Sequence, residues 1–263
     1  MFQLPENKPQ IPKDTPRNYF IWGETMSGKS FLASEFPSPL ILNTDGNAEA
    51  NSVPSIQIRN IRDKTGKIVR GVPEQIGEII LALQTQNHTY KTVVLDVIDD
   101  IIEMIKQYVQ VSHGVKSLGE IPFGKGYDEF NGLLTEMVID LKTLPMNVIY
   151  ISRQVEKMEN NATFDIPSLK TKYVNLINGN SDLNIQTKKL GNKYIRRVEA
   201  RRKAYTREHV NDPQILTILD TITGVFDRTQ RVNRTEQDKI AQNITKQQEN
   251  RFEEKEEETK NLL

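Results

Sequence analysis

The sequence predicts an α/β protein with a mostly parallel central sheet flanked by helices, and three observations carry that expectation. Short apolar runs alternate with stretches of helical spacing, as in a sheet joined by crossover helices. Between the first apolar run and the first helical stretch lies Gly23-Glu24-Thr25-Met26-Ser27-Gly28-Lys29-Ser30. A later run, Thr92-Val93-Val94-Leu95-Asp96, ends on a carboxylate.

Residues 18–22 read as a short strand feeding the glycine loop, 30–36 as the first helix and 39–43 as the second strand. Ile76, Ile79, Ile80 and Leu83 share one face at helical spacing, which makes 73–87 a helix. Residues 92–96 are a buried strand by composition. Helices follow at 99–111 and 127–144, separated by a glycine-rich loop at 114–126, and 147–152 is the next core strand. Runs at 183–190 and 194–201 flank Gly191-Asn192, the signature of an antiparallel hairpin. Residues 212–219 form a short helix. The resulting plan is an extended arm at 1–17 with four prolines, a core at 18–225, and a charged tail at 226–263, mobile or helical, with an acidic run at 252–260. No internal repeat is visible.

Composition narrows the function classes. Hydrophobic residues make up 37% and charged residues 27%, as in a soluble globular chain. Lysine plus arginine equals aspartate plus glutamate, 35 each, so net charge selects no partner. The absence of cysteine excludes disulfides and thiolate metal sites, and His88, His113 and His209 are too scattered to suggest zinc. The N-terminus lacks a signal-peptide core, and no run reaches the ~18 apolar residues that cross a bilayer. A cytoplasmic protein, in a host cytoplasm if phage-encoded, with no membrane partner is expected.

The glycine segment is a complete Walker A sequence, G-x-x-x-x-G-K-[ST], with a stereochemical reason for each fixed position. Gly23 and Gly28 let backbone N–H groups curl around phosphate oxygens without side-chain interference. Lys29 reaches the β- and γ-phosphates of ATP, the Ser30 hydroxyl ligates Mg²⁺, and the helix that starts there presents its positive end to the anion. The stretch from Gly23 to Phe31 is thus the expected ATP-binding segment. Asp96 supplies the strand-end carboxylate that holds the water shell of Mg²⁺. Hydrolysis further needs a group to orient the attacking water. Val97 stands where many P-loop ATPases carry a glutamate, so Asp45 is the first candidate and Asp99 the second; an aspartate at position 45 also suits an Asx turn before Gly46.

These residues resemble the RecA/RadA-like branch of P-loop ATPases, most closely the short phage ATPases of single-strand-annealing recombination, over roughly residues 18–205. Gly23-Glu24 is similar to the opening of RadA-type loops. Phe36-Pro37-Ser38-Pro39-Leu40-Ile41-Leu42-Asn43-Thr44-Asp45-Gly46 resembles a segment of the phage group. The catalytic acid of RecA ends this strand, which points to Asp45. The resemblance also implies a phosphate sensor at Ser152 and Arg153, where relatives carry histidine or glutamine, and a mobile DNA-facing loop at 155–167.

From Gln186 to Arg207 nine basic residues stand against one acid, Glu199, a local excess of +8 suited to polyphosphate. Lys188, Lys189, Lys193, Arg196 and Arg197 are candidate DNA contacts, with Tyr194 and Tyr205 interleaved to stack on bases. Arg201, Arg202 and Lys203 are candidates to reach a neighbouring subunit's ATP. A solvated hairpin face is the plain alternative. Trp22 reads as core. Together these features suggest an ATP- and Mg²⁺-dependent ATPase that binds single-stranded DNA and promotes annealing or strand pairing as a ring or filament, with a single-strand-binding protein as a further candidate partner. A DNA-acting motor or helicase loader is the first rival. A small-molecule kinase or a non-catalytic nucleotide switch comes after it.

Overall fold

The computed structural model describes residues 6–8, 15–46, 52–159, 162–228 and 232–243. The strands are β1 (Asn18–Gly23), β2 (Pro39–Asn43), β3 (Ser55–Gln57), β4 (Ile61–Arg62), β5 (Ile68–Arg70), β6 (Thr92–Asp96), β7 (Asn147–Glu159), β8 (Ala162–Pro167), β9 (Leu183–Leu190) and β10 (Lys193–Arg201). The helices are α1 (Lys29–Ser34), α2 (Val72–Thr85), α3 (Ile98–Ser112), α4 (Lys125–Thr143), α5 (Thr171–Asn180) and α6 (Pro213–Asp220). The main sheet runs β10-β9-β1-β7-β6-β2-β3, with β8 added on β7, while β4 and β5 pair separately. From β9 to β3 every neighbouring pair is parallel, and β10 turns back antiparallel on β9.

Alternation along the strands builds a core on each face of the sheet. Phe20, Leu42, Val93, Leu95 and Tyr150 join apolar residues of α2, α3 and α4. Tyr19, Ile21, Ile41, Val94 and Ile151 join Leu32 and Phe36 from around α1 and Ile215, Ile218 and Leu219 of α6. Trp22 belongs to the first core, as expected, and its indole N–H donates to Asn184 Oδ1 at 2.6 Å. The C-terminal ends of the parallel strands therefore share one edge: Gly23 lies opposite Arg153, and Asp96 lies opposite both Ile151 and Asn43.

The sheet, its flanking helices and the C-terminal antiparallel hairpin agree with the expected α/β class. The details differ where packing overrides local preference. Helix α5, Thr-Lys-Tyr-Val-Asn-Leu-Ile-Asn-Gly-Asn, has poor propensity and no strong periodicity, yet it forms and buries Ile177. The short strands β3, β4 and β5 carry too few apolar residues to register as strands. The loop at 114–126 contains two 3-10 turns, at Leu118–Glu120 and Pro122–Gly124, and buries Leu118 and Ile121. Where the resemblance implies a mobile DNA-facing loop at 155–167, the described residues continue β7 and form β8.

Two compact units divide the chain. The larger comprises Met1–Val155 and Ile166–Phe226; the smaller comprises Glu156–Asp165 and Asp227–Leu263. Within the smaller unit, 234–243 is helical, and the acidic run at 252–260 lies outside the described residues. Most of the expected N-terminal arm also lies outside them. Among the described residues no helix is long and apolar enough to cross a membrane.

One edge of the sheet is closed in an unusual way. Val198 N–H donates to Thr223 O at 2.9 Å and Thr223 N–H donates to Arg196 O at 3.0 Å, so a turn after α6 occupies the middle of the outer side of β10.

Candidate functional site

The loop between β1 and α1 has the backbone its glycines call for. Gly28 sits at φ 87°, in the left-handed region where a side chain is strained, and Met26 adopts φ 63° with its side chain turned out to solvent. Helix α1 is only six residues long, so the curled loop backbone, more than a helix dipole, is the phosphate-directed element. Glu24, Thr25, Met26, Ser30 and Phe31 are exposed, whereas Ser27 and Lys29 are buried.

Lys29 folds back over the loop. Its Nζ donates to the carbonyls of Gly23 at 2.9 Å and Glu24 at 2.5 Å. Burial pulls its pKa below the usual lysine value, with the carboxylates of Asp96 and Asp99 opposing that shift. The Ser30 hydroxyl donates to Asp96 Oδ2 at 2.6 Å, which places the two expected metal-side oxygens together although 66 residues separate them in sequence. Burial raises the Asp96 carboxyl above its usual range; the Ser30 bond works against this and the charge of Asp45 adds to it.

Asp45 is exposed at the end of β2, close enough to Asp96 to influence its charge. The turn that presents it is built by Asn43, not by Asp45 itself: the buried Asn43 Oδ1 accepts from the N–H of Asp45 at 3.0 Å and of Gly46 at 3.1 Å. The Asx turn expected at this place therefore has a different capping residue, Asn43. Asp99, the second candidate for orienting water, is engaged with the neighbouring strand. Its Oδ1 accepts from Ser152 Oγ at 3.2 Å and from Ser168 Oγ, and its Oδ2 accepts from Arg153 N–H at 3.3 Å.

Arg153 lies at the same sheet edge and donates both terminal nitrogens to Asp100, at 2.6 and 2.8 Å. This fork, with a further bond from Thr44 Oγ1 to Asp100 Oδ2 at 3.0 Å, holds the Asp100 carboxyl below its usual range. Ser152 is fully buried and faces Asp99. Neither Asp100 nor Thr44 stands out in the sequence, because their role appears only when β2, β7 and α3 converge.

The hairpin of β9 and β10 forms a wall of the loop. Gly23 and Thr187 are register partners in the β1–β9 pair, and a Cβ on Gly23 would stand 2.2 Å from the Thr187 carbonyl oxygen. A Cβ on Gly28 would stand 3.0 Å from the Tyr194 ring. Tyr194 is half exposed, with Lys189 Nζ 5.5 Å from its ring centre. Tyr205, in contrast, is buried at 2% exposure in the second core and cannot stack on a base.

The basic residues of the segment divide between the two ends of the hairpin. Lys189 and Lys193 near its turn are exposed, Lys188 is half-buried, and Arg197 is exposed while pairing with Glu199 at 2.7 Å. Arg196 is nearly buried and pairs with Glu35 at 2.9 Å, which ties β10 to the end of α1. Arg201 donates to the carbonyls of Gly224 and Val225. Arg202 donates to the carbonyls of Gly179 and Ser181 and pairs with Asp182 at 3.2 Å. Lys203 Nζ stands 5.5 Å from the Tyr205 ring centre. Arg201 is the register partner of Leu183, and Leu183 that of Tyr19, so these last three cations sit at the opposite end of the sheet from the glycine loop.

A parallel sheet with helices on both faces, a glycine loop after β1, and a serine–aspartate contact between that loop and β6 define a P-loop nucleotide-binding ATPase. The chain belongs to the AAA domain family, whose model matches residues 15–214 and so spans the loop, Asp45, Asp96, Arg153 and the hairpin. No curated protein matches the chain.

Proposed function

We propose that this chain is a RecA-like, Mg²⁺-dependent ATPase of phage type that binds single-stranded DNA and promotes annealing or strand pairing as an oligomer. The observation that supports it best is the juxtaposition of two chemistries on one structural unit. The strand pair that walls the phosphate loop also carries Lys188, Lys189 and Lys193 near its turn, with Arg197 farther along β10. A polyanion held there would lie next to the loop that holds ATP.

The residues present suit magnesium. Ser30 and Asp96 bring a hydroxyl and a carboxylate within 2.6 Å of each other, hard oxygen donors of the kind that accompany nucleotide phosphates in Mg²⁺ sites. When bound, the ion would neutralise charge on the β- and γ-phosphates. The chain's own contributions are distinct. Loop N–H groups bind the phosphates, Lys29 exchanges its carbonyl partners for phosphate oxygens, and Asp45 orients the attacking water and takes up its proton. Asp99 is the second candidate for that last task, and it faces β7 through Ser152 and Arg153. Arg153, in the middle of β7 opposite Gly23, serves the γ-phosphate, which requires release of its fork to Asp100. A role for Arg201 or Arg202 at a neighbouring subunit's ATP would require release of their present carbonyl bonds.

The test pairs ATP turnover, with and without oligo-dT, with a fluorescence annealing assay on the parent and on a variant carrying Lys188→Glu, Lys189→Glu and Lys193→Glu. The parent should bind oligo-dT with a log–log salt slope of about −0.7 per phosphate contact, and the variant should flatten that slope. Equal binding by both proteins at every salt concentration would remove the hairpin from the DNA site. DNA-stimulated turnover without annealing would favour the motor or loader.

A further inference from the structure

The Walker A pattern assigns no task to Ser27, and β9 contributes no residue to it, yet the two meet in the interior. Ser27 and Thr187 are each 1% exposed, and their hydroxyl oxygens lie 2.7 Å apart in a hydrogen bond. Thr187 Oγ1 also lies 3.5 Å from the Trp22 carbonyl, a long second contact on the same strand pair. Around this bond there is no room for adjustment. The same hypothetical Cβ on Gly23 that meets the Thr187 carbonyl would stand 2.6 Å from Thr187 Oγ1 and 2.7 Å from Ser27 Oγ. The first glycine of the motif is thus required as much by β9 as by phosphate.

We propose that Thr187 is a positioning residue for nucleotide binding, acting through Ser27 to hold the phosphate loop in its curled form. The inference rests on the ATPase reading. Its physical content is that the loop's N–H groups bind phosphate only when they converge, and convergence costs backbone entropy that something must offset. Lys29 and Gly28 act on the ligand side of the loop. The Thr187 hydroxyl acts on the buried side, anchoring the loop's fifth residue to a strand that the β1–β9 ladder already makes rigid. Tyr194, against Gly28, closes the same loop from the next strand. An anchor of this kind serves ground state and transition state alike, so its loss appears in affinity and not in the chemical step.

The two partners are not equivalent, and that asymmetry gives the test its edge. Thr187→Val keeps the shape of the side chain but leaves the buried Ser27 hydroxyl without its partner. Ser27→Ala leaves Thr187 able to turn to the Trp22 carbonyl. Leaving a buried donor unpaired costs more than never having it. Thr187→Val should therefore raise the Kd for MgATP and the KM about tenfold, with kcat at saturation within about twofold of the parent. Ser27→Ala should raise KM by less, and Thr187→Ser should restore the parent values.

Titration calorimetry and steady-state turnover read these values, with melting of the nucleotide-free proteins alongside. A lower melting temperature with unchanged KM in Thr187→Val would reduce Thr187 to a packing residue and overturn the proposal. So would Thr187→Ser behaving like Thr187→Val, because the methyl and not the hydroxyl would then matter. If Thr187→Val does not fold, Ser27→Ala decides alone, and an unchanged KM in that variant overturns the proposal. A parent that fails to bind MgATP would instead overturn the ATPase reading itself.

Discussion

The two ends of the central sheet use the same residue types for opposite purposes. At the C-terminal end, Lys29, Ser30, Asp45, Asp96, Asp100 and Arg153 gather at the loop. At the N-terminal end, Asp182 accepts from the backbone N–H groups of Arg17 at 2.9 Å and Asn18 at 3.0 Å and pairs with Arg202. There a carboxylate and a guanidinium satisfy the orphaned start of β1, which is architecture. At the loop end the balance is less comfortable. Burial depresses the Lys29 pKa and raises that of Asp96. The contrast teaches that a charged side chain marks function when its surroundings oppose its charge. It marks structure when they complete it.

The contrast can be broken most directly at Lys29. Lys29→Ala should lower ATP turnover about 100-fold or more, with an unchanged circular dichroism spectrum. Normal turnover in that variant would make the loop end as structural as the other. Asp182→Ala should do the reverse. Two backbone donors and a guanidinium lose their acceptor, a cost of about 2–3 kcal/mol, which lowers the melting temperature by about 5 °C or more. Turnover per folded molecule should stay at the parent level, and a loss comparable to that of Lys29→Ala would contradict the division.

The smallest expected effect sharpens the comparison within the loop end. Arg153 holds the Asp100 carboxyl below 3.8, its ordinary value. The stability contributed by this group is therefore present above 3.8 and lost as pH falls through the still lower folded value. Because the Arg153–Asp100 pair is partly exposed, solvent screens it. Asp100→Asn should melt slightly below the parent at pH 7, and the gap should close as the pH is taken below that window. Asp96 carries the opposite sign, since burial raises its carboxyl. A melting series carried from pH 7 down to the acid limit of the folded state separates the two: a gap between parent and Asp100→Asn that stays constant over the whole series would remove Arg153 as the cause.

What the sequence made legible was local. The glycine loop, the strand ending at Asp96, the core strands and the hairpin around Gly191-Asn192 are each specified within a few consecutive residues. Contacts between distant segments were not visible. Nothing near Thr187 announces Ser27, nothing near Asp100 announces Arg153, and the capping role of Asn43 emerges only from the turn it closes. The basic segment shows the limit most clearly. As a linear count it is a strong positive field, but Arg196 and Arg202 are paired with Glu35 and Asp182, which come from other parts of the chain. Tyr205 looked like a base platform because aromatic spacing does not reveal which face of the chain a helix such as α6 will cover.

The turn that lies along β10 bears on how copies of this chain can associate. An exposed edge strand normally invites another strand, and proteins guard against this with charge, bulges or a covering segment. Here Thr223 takes up the carbonyl of Arg196 and the N–H of Val198, and the register shifts between Val198 and Ala200. A template for continuous sheet growth is thereby interrupted in its middle. A strand added along Arg196–Val198 would first have to displace the turn at Thr223.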